Sequence, residues 1–435
     1  MKRILLVTTL ILLFAAVILA QAITDDEGRI VEFNKPFERI ITLYGAHTEN
    51  LFHLGAGDQL VGVSTSEAFP PQVHALPAYS YKDDAEKFIA ANPDLILIRP
   101  FITRKYGGLV EKLENMGITV VSMQPESVEE MASYIERLGM LTGKEEAATQ
   151  MMEDFNTEIE LIKEKVATIP ESERKTVFFE TIHKSFKTPT PDSIAWFVVN
   201  TAGGENIAYD ARATSSGSTV ADFSKEKLLE RGTDLDKYIA QKGAMNKVTM
   251  DQILNEPGYG ALKAINEREV YIVDEMIMSR PTWRILTGIE ELARIIYPET
   301  FNKVKAQTVP LTNLRYAEMM VKKNAVQYFT PGYDVEQVTD GNMTHTYGDF
   351  SDLDYEQIEA ITVETAVFAK MLPVTNSKLF NPEEQITYEK VKGYMSRYFT
   401  ITDQFNGLDM NAVPTEIDFL NLLAEFIPVH TEDAE

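Results

Sequence analysis

From Val128 to Val166 nearly every residue is a strong helix former, with one interruption at Thr142-Gly143. The second piece, Lys144 to Ala167, would span roughly 36 Å at about 1.5 Å per residue before Pro170 stops it. On both sides of this run, short β-branched stretches alternate with helical spacings. Before it, residues 38–43 and 60–64 read as buried strands, with a helix from Thr48 to Leu54 for which Thr48 is the expected N-cap. Ala85–Ala91 reads as a helix, Asp94–Ile98 as a strand, Leu109–Asn115 as a helix ended by Gly117, and Ile118–Ser122 as a strand. After it come a strand at Lys175–Glu180, a helix over Ser193–Ala202, and helices at Lys225–Glu230 and Met250–Leu254. A strand at Glu269–Asp274 and a helix from about Thr282 to Ile296 follow. A strand is also due near Leu235–Ala240, where Asp236-Lys237-Tyr238 is unusually polar. Alternation of this kind builds parallel sheets covered by helices. The expected fold class is α/β: two parallel-sheet lobes of the doubly wound type joined by one long helix, with a mainly α C-terminal region.

At 435 residues the chain is too long for one ordinary core. The pattern divides it into 1–22, an N-terminal lobe over 23–141, the inter-lobe helix over 142–170, a second lobe over 171–300 and a helical region over 301–435. Met1-Lys2-Arg3 ahead of the apolar run Ile4–Ala20 reads as a secretion signal, with Ala20-Gln21-Ala22 as the small-x-small cleavage pattern. An uncleaved N-terminal anchor is the alternative, since the run is about as long as a membrane span. Either way the body of the protein is expected outside the cytoplasm. A net charge of −25 leaves no basic stripe to neutralise phosphates, which argues against nucleic acid. There is no cysteine, so disulfides, thiolate metal sites, iron–sulfur clusters and a lipid-carrying cysteine are all removed. The six histidines are scattered without ligand spacing, and no bare-metal site is expected.

Two stretches carry a family resemblance. The first runs Arg39-Ile-Ile-Thr-Leu-Tyr-Gly-Ala-His47-Thr48-Glu49-Asn50 and on through Gly55-Ala-Gly57 to Gly62: strand, turn, helix, strand. The second is Asn200-Thr-Ala-Gly203-Gly204-Glu205-Asn206. In that order, with the long helix between them, they resemble the helical-backbone class of substrate-binding proteins, which feed ABC importers with iron complexes, haem or cobalamin. The resemblance covers roughly residues 24–300. It implies a binder with no catalytic residues and no resident cofactor, whose partners are a permease dimer with its ATPase and a small-molecule metal chelate.

In that family the ligand lies between the lobes, over loops at the C-terminal ends of the strands, as open α/β sheets prefer. The matching loops supply Tyr44, His47, Tyr81 and Arg99 from the first lobe and His183, Arg212, Arg280 and Trp283 from the second. Aromatic rings stack on a large flat ligand and arginine forks pair with its anionic groups. These are the candidate ligand-binding residues, with Trp283 also readable as a core anchor for the helix that follows it. Tyr44 and His183 come from opposite lobes, and each residue type can ligate haem iron. The resemblance also places one permease-docking acid on each lobe, at Glu86 and Glu226. A glutamate in the first turn of a helix is equally favoured by the helix dipole.

Beyond residue 300 helices are expected near Leu314–Asn324, Tyr355–Met371, Tyr388–Phe399 and Glu416–Phe426. Phe350-Ser351-Asp352-Leu353, Leu379-Phe380-Asn381-Pro382 and Ile386-Thr387-Tyr388-Glu389 resemble a surface-layer homology repeat, and Leu311-Thr312-Asn313-Leu314-Arg315 would close a second copy. This implies cell-surface contact through 301–435. Tyr388 stands where the repeat family has arginine, which points to protein contact rather than wall polymer. The leading reading is an extracytoplasmic receptor for a ferric siderophore. A haem or cobamide receptor on the same scaffold, a cell-surface architecture protein and a nitrogenase-like or chelatase-like enzyme of the same topology remain open alternatives.

Overall fold

The computed structural model describes residues 21–213, 215, 218–301, 310–323, 337–340, 343–355, 358–375, 377–397, 399, 401 and 404–424. The leader or anchor expected over 1–22 lies almost wholly outside them. Its last two residues, Gln21 and Ala22, belong to a strand and pair with Phe33 and Glu32. Among the described residues, no helix is long and apolar enough to cross a membrane.

Gln21–Thr24 (β1) and Ile30–Phe33 (β2) form an antiparallel hairpin. The first lobe then lays down Ile40–Thr42 (β3), Leu60–Ser64 (β4), Ala78–Tyr79 (β5), Leu95–Ile98 (β6) and Thr119–Ser122 (β7). These make one parallel sheet in the order β5-β4-β3-β6-β7. All residues of β3 and β6 are buried, which is why both read as unbroken apolar runs rather than alternating ones. The helices of this lobe are Gly45–His53 (α1), Ala85–Ala90 (α2), Pro100–Asn115 (α3) and Met131–Thr142 (α4).

Two boundaries differ from expectation. Thr48 does not cap α1, because its hydroxyl pairs with Thr42 Oγ1 at 2.7 Å inside the lobe and the helix already starts at Gly45. The helix expected from Leu109 begins nine residues earlier, at Pro100, a position where the missing N–H costs nothing. Gly107-Gly108 follows a kink at Tyr106 within it.

Glu145–Ala167 (α5) is the long helix, 23 residues. Its buried stripe runs Ala148, Met151, Phe155, Ile159, Ile162 and Val166, at steps of three and four, so that one face stays inward along its length. Ala148 and Met151 belong to the first lobe's core, and Phe155, Ile159, Ile162 and Val166 to the second's. Gly143, with φ of +68°, lets the chain reverse between α4 and α5. A Cβ on Gly139 would lie 2.7 Å from that of Ala148, so the close packing of these two helices requires glycine there.

The second lobe contributes Thr176–Glu180 (β8), Lys187–Pro189 (β9), Glu205–Asn206 (β10), Arg212–Ala213 (β11), Val220–Asp222 (β12), Lys237–Lys242 (β13) and Val270–Asp274 (β14). Its parallel sheet has the order β10-β8-β13-β14, and β11-β12-β9 forms a small antiparallel sheet beside it. The polar strand near residue 237 is thus central, not marginal. Lys237 pairs with Glu269, which immediately precedes the next strand, and the Tyr238 hydroxyl bonds to Glu180, so both polar side chains are satisfied. Its helices are Ile194–Thr201 (α6), Lys225–Arg231 (α7), Met250–Leu254 (α8), Lys263–Asn266 (α9), Glu275–Ser279 (α10), Ile285–Ile296 (α11) and Pro298–Phe301 (α12).

Among the described residues, the C-terminal region holds a hairpin, Gln337–Asp340 (β15) with Met343–Thr346 (β16), and four helices, Asn313–Lys323 (α13), Ile358–Phe368 (α14), Tyr388–Met395 (α15) and Glu416–Ala424 (α16). They surround a core of their own that includes Tyr316, Met320, Val363, Ile386 and Phe419. The segments leading into three of the helices pair with one another, Pro310 with Thr415 and Thr312 with Gln385.

Candidate functional site

Tyr44 follows β3 and opens α1, while Arg99 follows β6 and opens α3, so both stand at the C-terminal ends of adjacent strands. The Arg99 guanidinium lies 5.1 Å from the centre of the Tyr44 ring and 5.2 Å from that of Phe101. Tyr81 adds an edge contact to Phe101 at 5.8 Å and sits 4.8 Å from Tyr106. Lys105 stands 5.1 Å over Phe101. The first lobe therefore presents aromatic rings interleaved with cations, each supporting the other through the ring quadrupole. Burial pushes the Tyr44 hydroxyl pKa up against the pull of Arg99, so it stays a neutral donor at neutral pH. Beside this patch a cavity of about 560 Å³ is lined by Asp25, Asp26, Arg104, Glu126, Glu130 and Arg137 among others.

His47, expected to face the ligand, points into the lobe. It is fully buried, with Nδ1 2.7 Å from the Tyr134 hydroxyl and Nε2 3.0 Å from the Ile98 carbonyl. Burial pushes its pKa down to about 4, so the ring is neutral and both its nitrogens are used in holding α1 to α4 and β6.

In the second lobe His183 follows β8, with Nδ1 2.9 Å from Glu180 Oε2 and Nε2 3.8 Å from Glu256 Oε2. The hydrogen bond to Glu180 raises its pKa, and Glu256 is in turn paired with Lys225. Arg212 is exposed on β11.

Arg280 and Trp283 lie at the junction of the lobes. Arg280 Nη1 is 3.0 Å from Glu49 Oε1 and 4.0 Å from Glu67 Oε2, both first-lobe carboxylates. Arg284 reaches the other oxygen of Glu49 at 3.2 Å and lies 3.7 Å above the Phe69 ring. Asn50 donates to the Pro281 carbonyl at 2.9 Å, and Trp283 stacks on His53 with centroids 4.6 Å apart. The Trp283 ring packs against the cores of both lobes. Sequence reasoning missed Glu49, Asn50, Glu67 and Arg284. The available signal was Thr48-Glu49-Asn50, three polar residues in a row on a helix with no solvent face.

Glu86 and Glu226 are exposed, each in the first turn of its helix, one on each lobe. Ser224 caps the second of these helices, and backbone and Ser224 hydrogen bonds hold the Glu226 carboxyl pKa below its usual value. Among the described residues, no group of three or more His, Asp or Glu side chains is placed to hold a bare metal ion.

A profile of the periplasmic binding protein family matches residues 40–276, more than half of the chain. An uncharacterised ABC transporter substrate-binding lipoprotein of Bacillus subtilis, YvrC, is 27% identical over 290 residues, covering 65% of this chain and 87% of the relative. A vitamin B12-binding protein of Vibrio campbellii is 28% identical over 263 residues, covering 60% of this chain and 89% of that protein. In structure, a possible iron-binding (periplasmic solute-binding) protein from Staphylococcus epidermidis superposes with a TM-score of 0.52 at 26% identity, over 60% of this chain and 100% of that one. The profile match ends before the C-terminal module.

Proposed function

The chain belongs to the periplasmic binding protein family, and on that premise we propose that it captures an intact ferric siderophore between its lobes and delivers it to an ABC importer. Members of the family are solute receptors rather than enzymes, and they act outside the cytoplasm. The observation that carries the ligand class is the Arg99 guanidinium held between the Tyr44 and Phe101 rings at the ligand-facing end of the first sheet. A cation flanked by aromatic faces suits a broad ligand with anionic oxygens. Burial raises the Tyr44 pKa and so disfavours the tyrosinate that a haem iron would take, whereas a ferric chelate brings its coordination complete and needs no ligand from the chain. The possible iron-binding protein of Staphylococcus epidermidis, similar in structure, supports the same class.

A cobamide is the second reading, favoured by the vitamin B12-binding relative at 28% identity. It too is a large preformed metal complex. Glu86 and Glu226 are the proposed contacts with the permease dimer, which works with its ATPase. The chain has no cysteine, so these residues offer no attachment point for the lipid of a lipoprotein. Surface contact through 301–435 is a further proposal, resting on the repeat-like sequence alone.

Purification from the native source, followed by absorbance spectroscopy and mass spectrometry of what co-purifies, tests the ligand. Broad visible charge-transfer bands with a mass for a ferric chelate are the expected result. A corrin spectrum would move the assignment to a cobamide, and a Soret band would move it to haem.

A further inference from the structure

We propose that the C-terminal module is an intramolecular clamp, seated across the junction so that the first lobe, the second lobe and the module resist opening together. One helix of the module, α14, carries both halves of the contact. On one side its Glu359 lies 3.7 Å from Arg294 on α11 of the second lobe. On the other, its Glu364 is fully buried and accepts three hydrogen bonds: from His345 Nε2 at 2.7 Å, from the Gly348 amide at 3.2 Å and from the Tyr355 hydroxyl at 2.5 Å. Glu364 thereby fixes the Tyr347-Gly348 turn that follows β16.

That turn stands against the first lobe. A Cβ built on Gly348, whose φ is +83°, would come within 2.2 Å of Pro71 Cβ, so the turn approaches as closely as only glycine permits. Pro71 continues the Phe69-Pro70-Pro71 segment, and Phe69 lies directly under the Arg284 guanidinium of the second lobe. The first-lobe segment is therefore held between a second-lobe arginine and the C-terminal turn. Tyr347 is 3% exposed, and its hydroxyl feels Arg284 and Glu49, which pair across the lobes, together with Glu364 and Asp274. A module with its own core, anchored to both lobes through one helix, converts lobe separation into the breaking of a module contact.

The absence of native cysteine allows the test on the full chain. Spin labels at Glu111→Cys and Glu230→Cys, exposed sites on the two lobes, report the inter-lobe distance by pulsed electron resonance. The parent should give one narrow distribution. Glu359→Arg, which sets two cations against each other on the surface, and Gly348→Leu, which drives the turn off Pro71, should each add a longer-distance population. Should Gly348→Leu unfold the module, the Glu359→Arg result decides alone, because that side chain is only partly buried. An unchanged narrow distribution in a folded Glu359→Arg protein would overturn the clamp.

Discussion

Glu49 lies on a helix of the first lobe, yet both of its carboxylate oxygens are taken by arginines of the second, Arg280 and Arg284. Breaking a buried pair from one side leaves the other charge with less compensation than the folded state was built around. Arg280→Ala is therefore expected to lower stability by about 2–3 kcal/mol in chemical denaturation, with Glu49→Gln recovering part of the loss when added to it. Independent, additive effects would show that the two side chains are not coupled. Around this pair sit more buried acids than bases. Burial pushes the carboxyl of Asp274 up to about 6, that of Glu67 to about 7 and that of Glu291 to about 8, the last helped by the nearby Asp274 charge and opposed by Arg294. Each raised carboxyl binds its proton more tightly in the folded state, so its contribution to stability falls as pH rises from its unfolded value through its folded one. For Glu291 that window runs from about 4.5 to about 8. His47 works the other way, since its folded value near 4 against 6.5 makes stability rise with pH across that lower window. Glu291→Gln should therefore reduce the stability lost between pH 5 and pH 8 by about 2–4 kcal/mol, read from denaturation midpoints at both pH values. An identical pH slope in parent and variant would refute it.

At the scale of elements, α5 joins the lobes by lending its first buried turns to one core and the rest to the other. Its contact with α4 depends on Gly139, so Gly139→Val should force the helices apart and cost about 1–3 kcal/mol, seen as a lower melting temperature. A neutral substitution would mean that the α4–α5 contact is looser than the 2.7 Å approach to Ala148 implies. This helix was legible from composition almost to the residue, because an unbroken run of helix formers and a following proline need no tertiary context. The start of α3 was not. Pro100 and Gly107-Gly108 look like loop punctuation, but one occupies the first helical position and the others adjoin the kink at Tyr106. β13 was expected from the alternation despite its polar sequence, and Lys237 is tolerated in that buried strand because Glu269, just ahead of β14, comes alongside. Tyr44, Tyr81 and Arg99 can be placed at one end of the first sheet from strand boundaries alone. The clasp of Glu49 with Arg280 and Arg284 cannot, because its members are 231 and 235 residues apart and nothing local announces the pairing.

At the scale of the whole molecule, the two exposed acids, Glu86 and Glu226, ride on separate lobes, outside the ion pairs of the junction. Glu86→Ala combined with Glu226→Ala should abolish uptake in cells while leaving ligand affinity in calorimetry nearly unchanged. Substantial loss of affinity in the purified double variant would remove both residues from the permease contact. The path of the chain has a further consequence for how the protein is made. Every strand of the first parallel sheet comes from residues 40–122 and every strand of the second from 176–274, and the two are linked through α5. A polypeptide that emerges N-terminus first thus delivers one sheet complete before the other has begun, and domains generally fold as units in that order. Glu49 and Glu67 would remain hydrated at the surface of the early lobe until Arg280 and Arg284 arrive, so the buried charges of the junction are taken out of water only when both halves exist.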